Sequence, residues 1–399
     1  MFLEKNILVG IAGGIAVYKT AELVRELKKN GANVRVIMTP AATEFVAPIT
    51  FETLSENDVL TDLFPKGYSR QTAHIDWARW ADVFVICPAT LNTIGKIASG
   101  IADNALTTTI MAADIPVLFC PAMNKVMYAN PIHQANQEKL RNLGYRIIEP
   151  GVGELACGEY GSGRLAELSV ILDHINIALF GKDDFKGKRV LVSAGPTEEP
   201  LDPVRFMSNR SSGKMGFALA ERAALRGAKV TLVSGPAQLR PFTGVDLVSV
   251  RTADEMDKEI GNRLADTDIL IMAAAVSDYR PKHISTEKVK KSGQEIHLEL
   301  VQNQDILYKA GLHKNNRIHV GFSVETGNEI SATVEKLQKK NCDLMVLNNP
   351  LEEGAGFQTD TNKVTLINRD GNTEKLELMS KQNVADEILD RIYKLSVHV

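Results

Sequence analysis

The sequence predicts an α/β protein of two tandem doubly wound domains, each with a Rossmann-like parallel sheet. Residues 6–12 form a β-rich run, residues 17–27 place apolar side chains at helical spacing, and residues 33–38 form a second β-rich run. Strand, helix and strand within about 35 residues match one βαβ crossover. The pattern restarts at residues 189–194, and a chain of 399 residues exceeds the roughly 250–300 that one hydrophobic core supports.

Each element of the first half has a local reason. Gly31 follows the first amphipathic stretch, at the position where glycine commonly ends a helix. Apolar runs at residues 83–86, 117–119 and 145–148 are typical of buried strands. Since they alternate with helical segments, we expect a parallel sheet that helices cover on both faces.

The second half repeats features of the first. Residues 227–237 echo residues 31–41, which fits ancestral duplication, although shared fold physics produces such echoes without it. The polar stretch 181–188 is the natural linker. We therefore expect domains at 1–181 and 188–399.

Composition limits the partners. The net charge of −3 comes from 46 basic and 49 acidic residues, so the charge indicates neither nucleic acid nor an anionic membrane as the main partner. No apolar run reaches the roughly 18–20 residues of a membrane span, and the N-terminus lacks signal-peptide features. Because the cysteines Cys87, Cys120, Cys157 and Cys342 are far apart in sequence, we expect reduced thiols in a cytoplasmic protein.

A glycine turn follows the first predicted strand. Ligands bind where parallel strands end and helices begin. Gly13, Gly14, Ile15 and Ala16 can present backbone N–H groups to a phosphate there, although a simple strand-to-helix turn explains them equally well. The turn lacks the G-x-G-x-x-G dinucleotide pattern.

Polar side chains also follow the next two strands. Residues 87–104 concentrate hydroxyls, amides and Lys96, which suits a polar ring and a phosphate; the alternative is a Pro-broken loop with an Asn cap. Asn124 lies between Met123 and Met127 and could hold a carboxylate against an apolar wall, or simply cap a helix.

Two further candidates are a histidine and a cysteine. His74 lies near Asp76 and Trp77, and a lone histidine is more often structural than catalytic. Cys157 lies in the glycine-rich segment 151–163, which we interpret as a mobile flap that could bring the thiol to a substrate. A buried filler cysteine is the commoner case.

These ordered motifs resemble the flavin-dependent cysteine decarboxylase family over most of residues 1–180. The resemblance rests on GGIAVYK at 13–19, His74, PATLNTIGKIASGIADN at 88–104, PAMNKVMY at 121–128 and ACGE at 156–159. Some members of that family have Trp where this chain has Tyr128 and Asp where it has Glu159. Both changes keep the chemical type.

The resemblance implies a flavoprotein-like first domain that decarboxylates 4′-phosphopantothenoylcysteine with FMN. It assigns FMN contacts to Gly13, Gly14, Ile15, Ala16, Thr39, Ala89, Thr90, Asn92 and Thr93. It gives His74 the role of base, Asn124 that of substrate-carboxylate ligand, and Cys157 that of final proton donor. Homo-oligomers with flavin sites between subunits are also implied.

In the second half, polar residues again follow predicted strands. Residues 208–216 offer hydroxyls, glycine and Lys214 as a polyphosphate cradle, or a solvated capped helix start. They are not a Walker A loop, because Ser208 and Met215 replace its first Gly and its Mg²⁺-binding hydroxyl. Asp278 follows a buried strand, where it could serve a metal or a ribose.

This half resembles phosphopantothenate–cysteine ligase. The resemblance rests on SAGPTEEPLDPVRFMSNRSSGKMG at 193–216, AAAVSDYRPK at 273–282 and GFSVET at 321–326. It implies that CTP activates 4′-phosphopantothenate as an acyl-cytidylate, which L-cysteine then attacks. Lys288 would assist the first step, and Asn209 with Arg205 the second.

The ligase resemblance also implies a nucleotide site with Mg²⁺, for which Asp278 is the metal candidate. The residues implied to contact CTP are Asp278, Lys288, Gln304, Asp305, Ile306, Leu307, Phe322, Lys336 and Lys340. The bacterial pattern has Pro where this chain has Gln304. Lys336 and Lys340 share a helix face at i, i+4 and could equally face solvent.

Both resemblances together predict a bifunctional enzyme of coenzyme A biosynthesis that ligates and then decarboxylates. Its rivals are a flavin-binding oxidoreductase and a regulatory flavoprotein without decarboxylase activity. The presence of His74, Asn124 and Cys157 in one chain argues against a decayed site.

Overall fold

The computed structural model describes residues 2–64, 72–156, 158–290, 297–325 and 330–397. The chain divides into two compact units, Met1–Phe180 and Gly181–Val399. In the described ranges, no helix is both long and apolar enough to cross a membrane.

The first unit alternates strands and helices as the sequence predicts. Its strands are β1 (Asn6–Ile11), β2 (Asn33–Met38), β3 (Val59–Leu60), β4 (Val83–Ala89), β5 (Val117–Pro121), β6 (Arg146–Ile147), β7 (Gly151–Glu154) and β8 (Tyr160–Arg164). Its helices are α1 (Val17–Lys29), α2 (Pro40–Thr43), α3 (Pro48–Ser55), α4 (Ala73–Trp80), α5 (Leu91–Ala98), α6 (Ala105–Met111), α7 (Lys125–Ala129), α8 (Pro131–Asn142) and α9 (Leu168–Phe180). Gly31 ends α1 at φ +86°, as expected for a glycine after a C-cap.

The main sheet of the first unit is doubly wound. Its order is β3-β2-β1-β4-β5-β6, with parallel pairing throughout. Successive residues of β1 face opposite sides: Val9 packs in the core with α1 and α9, whereas Leu8 packs in the core with α5 and α6. Strands β7 and β8 form a separate antiparallel hairpin.

The second unit repeats the alternation with additional small sheets. Its strands are β9 (Arg189–Ala194), β10 (Glu198–Pro200), β11 (Phe206–Ser208), β12 (Lys229–Ser234), β13 (Val245–Ser249), β14 (Ile269–Met272), β15 (Tyr279–Pro281), β16 (Leu300–Gln302), β17 (Ile318–Val324), β18 (Leu344–Asn348), β19 (Thr361–Asn362), β20 (Val364–Asn368), β21 (Thr373–Lys375) and β22 (Met379–Ser380). Its helices are α10 (Lys214–Leu225), α11 (Ala253–Leu264), α12 (Ile306–Leu312), α13 (Ile330–Lys339) and α14 (Lys381–Val397).

The large sheet of the second unit has the order β13-β12-β9-β14-β17-β18-β20-β21. Pairing is parallel from β13 to β18, which confirms the predicted fold class. The last two strands are antiparallel, an addition that the predicted parallel sheet did not include. Val192 packs against the face covered by α10 and α14, and Leu191 against the face covered by α11 and α12.

A buried arginine fixes the start of this unit. Arg226 is 4% exposed, and its guanidinium contacts Asp184 at 2.6 Å and Asp390 at 2.7 Å. Its guanidinium carbon also lies 4.7 Å from the centre of the Phe185 ring. Residues 184–185 of the predicted linker are therefore held against α10 and α14.

Candidate functional site

A cavity of about 1230 Å³ opens at the carboxyl ends of β1, β2, β4 and β5. This is where a doubly wound sheet binds ligands. Of the residues assigned to FMN or substrate in this unit, the ones that line the cavity are Gly13, Gly14, Ile15, Ala16, Thr39, Thr90, Asn92, Thr93 and Asn124.

The backbone of the glycine turn packs tightly against Ala41, and this close packing leaves space for a ligand in the cavity. A Cβ on Gly13 would lie 2.6 Å from the carbonyl carbon of Ala41, so only glycine fits there. A Cβ on Gly14 would lie 3.6 Å from Thr90 Cγ2, an ordinary contact. Within the described part of the chain, the N–H groups of residues 13–16 donate to no other backbone group. These amides are therefore available to an anion.

The loop after β4 is ordered by its own caps. The Thr90 hydroxyl accepts a hydrogen bond from the backbone N–H of Thr93, and Asn104 forms a capping box with Thr107. Lys96 lies 2.6 Å from Asp103 and lowers the pKa of that carboxyl. Ala89 is fully buried in β4, so its side chain does not reach the cavity.

Asn124 is held in a defined orientation at the cavity wall. Its Oδ1 accepts the N–H of Val126 at 2.8 Å, while its Nδ2 donates to Glu159 Oε2 at 2.8 Å. On the same helix, the Tyr128 hydroxyl donates to Glu149 at 2.6 Å. Burial and this hydrogen bond raise the pKa of Tyr128 to about 12.

Of the other two predicted catalytic residues of this unit, the structure describes His74 but not Cys157. His74 lies in the first turn of α4, outside the set of residues that line the cavity. Its Nδ1 is buried and has no hydrogen-bond partner among the described residues. Cys157 lies outside the described residues, but its neighbours Leu155 and Ala156 line the cavity.

In the second unit, Arg205 links two segments of the predicted ligase site. Its Nε donates to Asp202 Oδ2 at 3.0 Å, and its terminal nitrogen donates to the carbonyl of Val289 at 3.0 Å. The Val289 N–H in turn donates to Asp202 at 3.2 Å, which anchors the residue next to Lys288. Arg205 and these backbone amides hold the pKa of Asp202 well below its usual range.

Asn209 approaches the loop that carries Asp278. Its Nδ2 donates to the carbonyl of Val276 at 3.0 Å. Asp278 has an exposed side chain, and its carbonyl accepts the N–H of Asn303 at 2.8 Å. The loop before Asp278 is held by Thr197, whose hydroxyl accepts the Ser277 N–H at 3.0 Å.

Among the predicted nucleotide-binding residues that follow β16 and β17, the lysines pair with carboxylates and the apolar residues pack in the core. Lys340 lies 3.0 Å from Asp305, and Lys336 pairs with Glu325. Gln304 is exposed, but Ile306 and Leu307 are buried in the core with α11, so only their backbone is available to a nucleotide. Phe322 is half-buried against the opposite core.

The donor set for a metal is sparse. Within the described ranges, no group of three or more His, Cys, Asp or Glu side chains could hold a metal ion. Mg²⁺ commonly uses one or two carboxylates together with substrate phosphates. Because Asp278 is exposed and belongs to no such group among the described residues, it could bind Mg²⁺ only as a single carboxylate together with substrate phosphates.

Sequence reasoning did not assign several residues that the structure brings to these sites. Asp202, Glu325, Tyr18, Lys19 and Arg164 are the clearest examples. The spacing of Asp202 and Arg205, three residues apart with a proline between them, is a local sequence pattern that indicates an ion pair. Arg164 reaches its site only through tertiary packing, which no local pattern reveals, whereas Glu325 lies within the motif at 321–326 but was given no role.

Comparisons with known proteins cover both units. Residues 2–179 match the flavoprotein family, and residues 185–395 match the DNA/pantothenate metabolism flavoprotein C-terminal domain family.

Relatives match along the whole chain. The coenzyme A biosynthesis bifunctional protein CoaBC of Bacillus subtilis is 45% identical over 399 residues, covering 99% of this chain and 98% of its own. The protein of that name from Haemophilus influenzae is 41% identical over 389 residues, covering 97% of each chain. A cysteine/cysteine sulfinic acid decarboxylase from an unknown prokaryotic organism is 44% identical over 357 residues, covering 88% of this chain and 99% of its own.

Among solved structures, the C-terminal domain of a coenzyme A biosynthesis bifunctional protein CoaBC is similar to this chain. It is 38% identical, with a TM-score of 0.47, and the match covers 55% of this chain and 100% of that one.

Proposed function

The chain belongs to the family of bifunctional coenzyme A biosynthesis proteins, and on that premise we propose that it converts 4′-phosphopantothenate, L-cysteine and CTP to 4′-phosphopantetheine. In the proposed division of labour, residues 188–399 ligate cysteine to 4′-phosphopantothenate. Residues 1–181 then decarboxylate the product. The observation that carries the proposal is the cavity of about 1230 Å³ lined by the motif residues of the first unit.

The residues of this cavity fit FMN. The close approach of Gly13 to Ala41 leaves a concave turn with available amides, which suits a phosphate. Hydroxyl and amide side chains from Thr90, Asn92 and Thr93 suit a polar ring. When bound, FMN would supply two-electron redox chemistry at the cysteinyl part of the substrate.

The protein's own contribution to decarboxylation is positioning and proton transfer. Asn124 would orient the substrate carboxylate with the amide that its helix cap holds in place. His74 would act as base, and Cys157 would return the last proton. His74 lies outside the lining of the cavity of its own chain. In the homo-oligomer with flavin sites between subunits that we propose, His74 would act on the site of another subunit.

The ligation step needs charge stabilisation. A carboxylate becomes a good electrophile only with a phosphate leaving group, and cations stabilise the charge that develops. Lys288 would assist cytidylate formation, and Arg205 with Asn209 would support the attack of cysteine. We assign CTP to Asp278, Lys288, Gln304, Asp305, Ile306, Leu307, Phe322, Lys336 and Lys340, with Mg²⁺ at Asp278. We also place the enzyme in the cytoplasm, where CTP is available.

The test is product identification by mass spectrometry with the purified full chain. Incubation with 4′-phosphopantothenate, cysteine, CTP and Mg²⁺ should give 4′-phosphopantetheine and CO₂. Omission of CTP should stop the reaction, whereas phosphopantothenoylcysteine supplied directly should still lose CO₂. If FMN is bound and the supplied intermediate keeps its carboxylate, the decarboxylase proposal is wrong and a flavin-binding protein remains.

A second candidate function is decarboxylation of free cysteine or cysteine sulfinate, since a relative of that name matches 88% of this chain. The same assay separates the two functions. Release of CO₂ from free cysteine at a kcat/KM equal to that from phosphopantothenoylcysteine would favour the second candidate.

A further inference from the structure

Asn303 lies at the neck of the hairpin that β15 and β16 form. Tyr279 of β15 pairs with Gln302 of β16 in antiparallel register, so the neck consists of the residues just before and just after them. There the Asn303 N–H donates to the carbonyl of Asp278 at 2.8 Å, which extends the pairing by one residue. One side of the neck therefore carries Asp278, and the other leads directly into residues 304–307, which we assign to CTP.

The side chain of Asn303 adds two contacts across the same neck. Its Nδ2 donates to the carbonyl of Ser277 at 2.8 Å, and its Oδ1 accepts a hydrogen bond from Arg280 Nη1 at 2.7 Å. Asn303 and Ser277 are each 7% exposed. Because a buried carbonyl that loses its donor is costly, the amide of Asn303 fixes the position of the Ser277 carbonyl.

Ser277 is held on both sides by residues from different segments. Its N–H donates to the Thr197 hydroxyl at 3.0 Å, while its carbonyl accepts the Asn303 amide. Thr197 precedes β10, whereas Asn303 continues through residues 304–307 into α12. The contact with Asn303 therefore sets the Asp278 loop in register with the segment that follows the hairpin.

We propose that Asn303 is a positioning residue of the ligase site, whose side chain holds the Asp278 loop and residues 304–307 in the register at which both meet one CTP molecule. This inference rests on the proposed ligase function. The amide acts through protein contacts, to Ser277 and Arg280, and not by touching the nucleotide. Without it, CTP would have to order both segments on binding, which lowers affinity.

The experiment measures the dissociation constant of CTP in the presence of Mg²⁺, by titration calorimetry on the FMN-loaded full chain. Asn303→Leu removes the amide at nearly constant volume and places no new charge beside the triphosphate. We expect CTP to bind about tenfold more weakly, because the loss of a buried hydrogen bond is added to the ordering of the two segments. The KM for CTP should rise by the same factor, whereas the KM for L-cysteine should not change.

A double-mutant cycle separates positioning from a general loss of stability. Asp278→Asn alone should weaken CTP binding by about tenfold, as expected for a contact with a charged group. If Asn303 acts by placing Asp278, its loss matters little once that carboxylate is gone. The combined variant should then bind CTP roughly 10- to 20-fold more weakly than the parent, far from the roughly hundredfold of two independent effects.

Thr267→Val is the matched control. Thr267 is 6% exposed, and its hydroxyl donates to the carbonyl of Arg263 at 2.8 Å, at the amino end of β14 and so at the opposite edge of the sheet from Asp278. Urea unfolding should show a similar loss of stability in this variant and in Asn303→Leu, but its affinity for CTP should equal that of the parent. If Asn303→Leu does not fold, Asn303→Ser takes its place, because its hydroxyl ends one bond short of the amide nitrogen that reaches Ser277.

Three results would overturn the inference. The first is an unchanged affinity for CTP in a folded Asn303 variant. The second is a roughly hundredfold loss in the combined variant, which would make Asn303 and Asp278 independent. The third is an equal rise in the KM for L-cysteine and the KM for CTP, which would make Asn303 a general structural support. If the CTP affinities behave as expected but the parent forms no phosphopantothenoylcysteine, the positioning role stands and the proposed ligase function fails.

Discussion

The two units present polar residues at the carboxyl edge of the same kind of sheet, but they arrange charge differently. In the first unit, the cavity is lined largely by backbone and neutral side chains, among them Gly13, Thr90 and Asn92, together with one ion pair, Lys96 with Asp103. In the second unit, Arg205 and Lys340 are already paired with the carboxylates Asp202 and Asp305.

We propose that this difference corresponds to two kinds of ligand. A preformed cavity binds a resident cofactor without rearrangement, which reduces the cost of association. In the proposed function, Lys340 must leave Asp305 before it binds the triphosphate of CTP, which suits a substrate that enters and leaves in each turnover. We therefore expect the first site to lose FMN when its backbone geometry is changed. We expect the second site to lose ligase activity when its charged residues are replaced.

The largest effect is expected from Gly13→Ala. The new Cβ would lie 2.6 Å from backbone and side-chain atoms of Ala41, and overpacking of this kind costs up to about 3 kcal/mol. We expect FMN content, measured by visible absorbance after purification, to fall more than tenfold. Gly14→Ala is the matched control, since its Cβ would meet Thr90 at 3.6 Å, and it should keep its flavin. Equal flavin content in the two variants would contradict a preformed cavity.

The next effect tests a buried charge of the second unit. Lys381 is 5% exposed, and its ammonium donates to the carbonyls of Gly356, Phe357 and Thr359, at 2.6 Å for the last. Lys381→Met should lower the free energy of unfolding of this unit by about 2 kcal/mol, because three part-buried carbonyls lose the buried ammonium that donates to them. Urea unfolding followed by circular dichroism measures the loss, while flavin absorbance of the first unit should stay unchanged.

Lys381 also predicts a pH dependence. Burial and the charge of Lys214 lower the pKa of Lys381 from 10.5 to about 8, while Asp360 acts in the opposite sense. Between pH 8 and 10.5, the unfolded chain binds more protons at this group, so its contribution to stability rises with pH. The difference in unfolding free energy between the parent and Lys381→Met should therefore grow across that window. A difference that is flat or shrinks would show that the ammonium is not buried.

A smaller effect is expected from Arg205→Lys, which keeps the charge but loses the forked geometry on Asp202 and Val289. The ligase kcat/KM should fall about tenfold, equivalent to about 1.4 kcal/mol. Release of CO₂ from directly supplied phosphopantothenoylcysteine is the internal control and should not change. Asp202→Asn should reproduce the ligase defect; a normal ligase rate in that variant would separate the ion pair from the reaction.

The smallest effect is expected at Lys340, whose ammonium pairs with Asp305 at 3.0 Å. Lys340→Met should raise the KM for CTP by about threefold, as exposed ion pairs contribute less than about 1 kcal/mol. The effect should shrink at high salt. Lys339→Met, at the exposed neighbouring position, is the control and should leave the KM for CTP unchanged.

Local sequence was sufficient to predict the elements that depend on interactions between residues close together in the chain. The glycine after α1, the buried strands β4 and β5, and the polar residues that follow them were all predicted from spacing and strand position. The parallel order of the sheets follows from the same alternation of strands and helices, because crossovers of this length favour it.

Features that depend on distant contacts were not accessible from sequence. The pairing of Asn124 with Glu159 joins residues 35 positions apart. The antiparallel return of β20 and β21 depends on turns after β18 that carry no strong periodic signal. Ile306 and Leu307 were assigned from a motif, but the amphipathic start of α12 buries their side chains. The roles of the individual site residues stay predictions.

The short antiparallel strand β21 has a consequence for how the protein behaves at high concentration. A sheet edge exposes backbone groups that another chain can pair with, and parallel core strands are apolar enough to aggregate if left open. Here the edge is three exposed residues, Thr373–Lys375, and Glu374 is paired with Arg391 of α14 at 2.5 Å. A strand of another chain would therefore meet only a short row of backbone groups at this edge, beside a side chain that is already held in an ion pair. The return strands therefore shield β18 from intermolecular sheet growth.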